Sequence, residues 1–166
     1  KPLFQKVVDT VESYLSAKQL PLVKFNIEIK SKPEWDNGYT PSVHSFAKIV
    51  VDFIHRQKHP AMFCVQSFDA RALEEVHTLD STIATAWLFA LPNGWKIGFK
   101  ALSFRPTIMS PNYLVTRKAN VLQAHRLGIS VIPWTVNEEK EMKRLIALKV
   151  DGMITDYPDV LKALLK

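Results

Sequence analysis

Strand signals and helix signals take turns along this chain from end to end, and that alternation leaves few folds open. A helix between two strands carries the chain back across a sheet, so the strands it joins run parallel. The first strand signal, 25–30, is "FNIEIK", in which Phe25, Ile27 and Ile29 alternate with Asn26, Glu28 and Lys30. Period-two alternation puts the two sets on opposite faces, one apolar and one carrying an amide, an acid and a base. Further strand-like runs are "MFCVQSF" at 62–68, "IATAWLFA" at 83–90, "TIMSPN" at 107–112, "ISVIPWTV" at 129–136 and "DGMITD" at 151–156. Between them lies helical spacing. Phe4, Val7, Val8, Val11, Tyr14 and Leu15 predict a helix over 2–20, stopped by Pro21. Val43, Phe46, Ala47, Val50, Phe53 and Ile54 predict another, capped by Ser42 and stopped near His59-Pro60. Asp69 opens a helix to Leu79, 114–127 is helical up to Gly128, Asn137 caps a helix led by Glu138 and Glu139, and Pro158 starts a last one. Residues 91–106 read mostly as loop with room for a short helix, and 31–41 is a long polar loop.

A parallel sheet with crossover helices is either an open doubly wound sheet or a barrel. Neither GxGxxG nor GxxxxGK[ST] occurs in the sequence, which counts against the common nucleotide-binding open sheets. Polar and aromatic residues gather instead at the C-terminal ends of successive strand signals: Glu28 and Lys30, Gln66 and Ser67, Trp134 and Thr135, Thr155 and Asp156. A (β/α)8 barrel builds its site there. The 166 residues suffice for one domain with a sizeable core, and no boundary or repeat divides them.

Formal net charge is +6, with the basic residues scattered. No basic arm or nucleic-acid motif is visible, so nucleic acid is not an expected partner. No apolar run approaches the ~18 residues of a membrane span. The single cysteine, Cys64, lies in an apolar run and reads as a buried core thiol. The five histidines, His44, His55, His59, His77 and His125, read as surface or helix-packing residues.

Three segments together resemble the glycerophosphodiester phosphodiesterases. They are "NIEIK" at 26–30, "SFDARAL" at 67–73 and "VIPWTVNEEKEMKRLIALKVDGMITDYPDVL" at 131–161. The resemblance implies a TIM-type (β/α)8 barrel and hydrolysis of a small-molecule glycerophosphodiester to glycerol 3-phosphate and an alcohol. It implies a divalent cation, Ca2+ or Mg2+, with Glu28 as a ligand. It puts Lys30 in the site beside the substrate phosphate and Trp134 in the pocket wall, and Gln66 fits a hydrogen-bonding role in the barrel mouth. The family pattern begins with His-Arg-Gly, then Pro-Glu-Asn, Glu-x-Asp and His-Asp, and these are absent from this sequence. The expectation is therefore one N-terminally incomplete barrel domain over 1–166, with about six strand segments, matching the C-terminal two-thirds of the barrel. Such a fragment is expected to be inactive alone. Head group, oligomeric state and compartment stay open.

The chemistry suits the residue types. A cation neutralises phosphodiester charge, and hard cations prefer carboxylate oxygens such as those of Glu28. Lys30 lies about 6–7 Å further along the same face, where an ammonium stabilises charge developing on phosphate. A plain Glu28–Lys30 ion pair is the simplest competing reading. Trp35 and Tyr39 lie in the long loop, from which they could close over a substrate. Asp156 reads as a helix cap. Two other functions remain: a barrel enzyme forming a Schiff base at Lys30, and a non-catalytic phosphate-binding barrel remnant. The first needs a desolvated amine, and Glu28 on the same face counts against it.

Overall fold

The computed structural model describes residues 2–166 and, within them, the side chains of all but 97–99. Five strands form one sheet in sequence order: β1 (Phe25–Glu28), β2 (Phe63–Ser67), β3 (Ala84–Phe89), β4 (Ile108–Pro111) and β5 (Ser130–Val131). Every neighbouring pair is parallel. Helices α1 (Phe4–Ala17), α2 (Val43–His55), α3 (Ala70–Leu79), α4 (Gly94–Ala101), α5 (Lys118–Arg126), α6 (Glu139–Ala147) and α7 (Pro158–Leu164) alternate with them. Consecutive parallel strands that never reverse order make an arc of barrel, not a doubly wound sheet.

Register assigns the two faces. Asn26 pairs with Cys64, Glu28 with Gln66, Gln66 with Ala86, Leu88 with Ser110 and Ile108 with Ser130. Those residues line the inner face. The outer face carries Phe25, Val65, Trp87, Met109 and Val131, and the helices close over it. Ile54 of α2 and Leu73 of α3 are wholly buried against it. Phe4, Phe53, Phe25 and Phe63 form an aromatic chain tying α1 and α2 to the first two strands, with ring centroids 4.8 to 6.1 Å apart.

Local chemistry sets several boundaries as expected. Ser42 Oγ accepts from Ser45 N at 3.2 Å and caps α2, and Asp69 Oδ1 accepts from Arg71 N at 3.1 Å and caps α3. Gly128 takes φ +71° just beyond α5, with its N–H bonded back to His125 O at 3.0 Å. Other expectations are corrected. The helix over 114–127 is a 3-10 turn at Tyr113–Val115 followed by α5. Asn137 does not cap α6, whose N-cap is Glu138. It reaches instead to the last loop, with its Nδ2 donating to Asp156 Oδ2 at 2.8 Å and its Oδ1 accepting from Asp156 N at 3.0 Å. Asp156 is spent there, and the N-cap of α7 is Tyr157.

The run at 129–136 is regular strand only at β5, because Pro133 and Pro111 bring no N–H to the ladder. Its donors to β4 nevertheless continue at two-residue spacing, with Ile132 N bonded to Met109 O and Trp134 N to Pro111 O, each at 3.0 Å. The sixth strand signal, 151–156, is not a regular strand. It still runs beside the fifth, with Asp151 N donating to Val131 O at 2.9 Å, Ile154 N to Pro133 O at 2.8 Å, and Val136 N to Ile154 O at 2.8 Å. Its arc is that of a barrel with five regular strands and a sixth, irregular stave.

Candidate active site

The end of β1 delivers two charges to one place. Glu28 and Lys30 share the inner face, as their two-residue spacing requires. Lys30 Nζ lies 2.5 Å from Glu28 Oε1, with the lysine side chain 70% exposed and the glutamate 24%. Both line a cavity of about 440 Å3 at the C-terminal ends of β1 and β2, walled by Pro33, Trp35, Phe68 and Asp69. Beside Glu28 on the neighbouring strand stands Gln66, whose Oε1 accepts from Asn26 Nδ2 at 2.7 Å. Trp134 is farther round the arc. Its Nε1 donates to Ser110 O at 2.8 Å, and its ring meets Phe68 nearly at right angles with centroids 5.3 Å apart. Glu28, Lys30 and Gln66 thus stand together, while Trp134 joins them through Phe68. Trp35 is part of the cavity wall; Tyr39 is 89% exposed and is not.

Sequence reading missed what holds this mouth in shape. Ser67 Oγ donates to Ile29 O at 2.7 Å and accepts from Asp69 N at 3.0 Å, pinning the end of β1 to the turn after β2. Ser31 Oγ donates to Asp69 Oδ2 at 2.9 Å. Arg71 then bridges two carboxylates: its Nη2 donates to Asp69 Oδ2 at 2.7 Å, its Nε to Asp69 Oδ1 at 3.1 Å, and its Nη1 to Asp36 Oδ2 at 2.8 Å. Burial pushes the Asp69 carboxyl up, but hydrogen bonds from Arg71 and Ser31 outweigh it and the net shift is downward. The same carboxylates raise the Arg71 guanidinium above its already high range, so the clamp stays charged. The residues of "SFDARAL" carried this signal, but the partners Ser31 and Asp36 lie 38 and 35 positions away from Asp69 and Arg71.

The donor set for a cation is partial. Among the described residues, no three His, Cys, Asp or Glu side chains meet as a metal cluster. Glu28 fits one ligand position by its hard oxygens, and Asp69 is committed to Arg71. The histidines stand elsewhere: His44 pairs with Glu75 at 2.7 Å, His55 with Asp80 at 2.7 Å and His125 with Asp151 at 2.8 Å, while His77 stacks on Phe104. Among the described residues, no helix is long and apolar enough to cross a membrane.

Comparison with known proteins agrees with this architecture. A Bacillus subtilis glycerophosphodiester phosphodiesterase is 30% identical over 108 residues, 63% of this chain and 37% of its own. A Silicibacter pomeroyi structure assigned as a glycerophosphoryl diester phosphodiesterase superposes with a TM-score of 0.80 at 26% identity, over 99% of this chain and 56% of its own. An Oleispira antarctica phosphodiesterase, solved with the product sn-glycerol-3-phosphate, shares the fold at TM-score 0.72 and 17% identity, over 92% of this chain and 58% of its own. The chain thus spans between a third and three-fifths of the length of these proteins. The profile of the glycerophosphoryl diester phosphodiesterase family matches residues 1–160, and the chain belongs to that family.

Proposed function

We propose that this chain supplies the phosphate-holding side of a metal-dependent glycerophosphodiester hydrolase, which releases glycerol 3-phosphate and an alcohol once the barrel is complete. The observation that carries the reading is the Glu28–Lys30 pair, side by side on the inner face at the barrel mouth. Lys30 pairs with a non-bridging phosphate oxygen and stabilises the charge that grows there in the transition state. Glu28 would give one carboxylate oxygen to Ca2+ or Mg2+, with further donors from outside the described residues. When bound, such a cation neutralises phosphate charge and acidifies or orients the attacking hydroxyl. Gln66 donates to a substrate oxygen, and Trp134 walls the glycerol arm. An exposed Lys30 beside a carboxylate does not suit Schiff-base chemistry, which calls for a desolvated amine.

Four of the five histidines are engaged on helix surfaces, and among the described residues none is placed at the Glu28–Lys30 mouth for proton transfer, so the 166-residue chain is expected to show negligible turnover alone. The test measures glycerol 3-phosphate release from glycerophosphodiesters in Ca2+ or Mg2+. It compares the chain alone with a chimera in which the N-terminal barrel segment of the Silicibacter pomeroyi protein precedes it. The chimera is expected to turn over, to lose activity in chelator, and to drop by about 100-fold or more in Lys30→Met. Substantial turnover by the chain alone would refute the division of labour; a chimera indifferent to Lys30 would refute the reading itself.

A further inference from the structure

The cavity beside Glu28 and Lys30 extends well beyond that pair, to about 440 Å3. Lys30 is in its wall and Trp134 is not; Trp134 stands behind Phe68, edge to face at 5.3 Å. With the glycerol arm walled by Trp134, as in the reading above, a diester with its phosphate at Lys30 has its other arm in the cavity. Resting on the diester reading above, we infer that this cavity receives the alcohol arm and selects polyhydroxy or anionic alcohols against quaternary ammonium ones.

The reason lies in the loop after β1. A quaternary ammonium is held by open aromatic faces and by unspent carboxylates. Here one face of Trp35 already carries a cation, with Lys32 Nζ 4.7 Å from the ring centroid. A second cation at that face must displace the first against like-charge repulsion. The carboxylates are engaged as well: Glu28 faces Lys30 and, in the reading above, is the divalent cation's ligand once substrate binds, and Asp69 faces Arg71 and Ser31. Among the described residues of its wall, the group left to meet a head group is the ammonium of Lys32, a donor to hydroxyl, carboxylate or phosphate oxygens.

Binding to the 166-residue chain tests this without any need for turnover. Tetramethylammonium is titrated while the indole N–H resonance of Trp35, assigned by its loss in Trp35→Phe, is followed by NMR. The affinities of glycerophosphocholine and glycerophosphoglycerol are measured by calorimetry on the same proteins. The native chain is expected to leave the Trp35 signal unmoved by tetramethylammonium and to prefer glycerophosphoglycerol. Lys32→Gln is expected to make that signal respond and to shift the affinity ratio toward glycerophosphocholine by about threefold to thirtyfold. Equal response of Trp35 in both proteins, or an unchanged ratio, overturns the inference and leaves the diester reading standing. Binding of neither diester, with a Trp35 response confined to Lys32→Gln, overturns the diester reading and retains the cation exclusion.

Discussion

Burial decides the chemistry of Cys64. Desolvation pushes its thiol up to about 12, with Lys24 pulling slightly the other way, so thiolate is scarce at neutral pH. Native protein is expected to resist iodoacetamide and to alkylate fully once unfolded; fast labelling of the native chain would place Cys64 outside the core. Asp80 shows the opposite case. Hydrogen bonds from Thr82, then from His55, hold its carboxyl down to about 2. A depressed carboxyl contributes stability that is complete above the unfolded value near 4 and is lost as pH falls through 2. Because the side chain is partly exposed, screening reduces the contribution to about 1 kcal/mol. Urea midpoints are expected to fall for the native chain between pH 4 and 2 and to be flatter for Asp80→Asn. At this scale the sequence showed that Glu28 and Lys30 share a face, since period two requires it. It did not show Lys32 over Trp35, a contact set by the fold of a loop without periodicity.

Between elements, Arg71 is the fastening that matters most for the site. It ties the β1 loop, through Asp36, to the turn that opens α3, through Asp69. Arg71→Ala takes the guanidinium from both carboxylates, leaving Asp36 without its donor and Asp69 with Ser31 Oγ and the backbone N–H of residue 71, and is expected to cost about 1–2 kcal/mol, allowing for the partial exposure of the group. Proteolysis within 31–41 should rise as well, read by mass spectrometry of the nicked chain. Arg71→Lys keeps the charge but not the fork, and should recover less than half of the loss. An unchanged cleavage rate in Arg71→Ala would show that the loop holds itself. The helices were legible because apolar stripes and caps such as Ser42 and Asp69 act locally. Asn137 and Asp156 misled because their side chains serve a contact between two loops. The last two staves were only half legible: Pro133 interrupts one, and 151–156 bonds to it at intervals without forming a regular strand.

For the molecule as a whole, the order of parallel strands makes the arc, and the arc gives the face on which chemistry can occur. Small inner residues such as Ala86 and Ser110 are nearly fully buried, whereas polar groups gather at the end where Glu28, Lys30 and Gln66 meet. Barrel type was readable from strand–helix alternation together with the family motifs; the ties that shape the cavity were not, because they join segments far apart in sequence. The claim on which the function depends is that Lys30 meets a phosphate in that mouth. Calorimetric titration of the chain with glycerol 3-phosphate, in the native form and in Lys30→Met, addresses it most directly. Saturable binding that weakens about tenfold or more on substitution is the expected result. Equal affinity in the two proteins would contradict it.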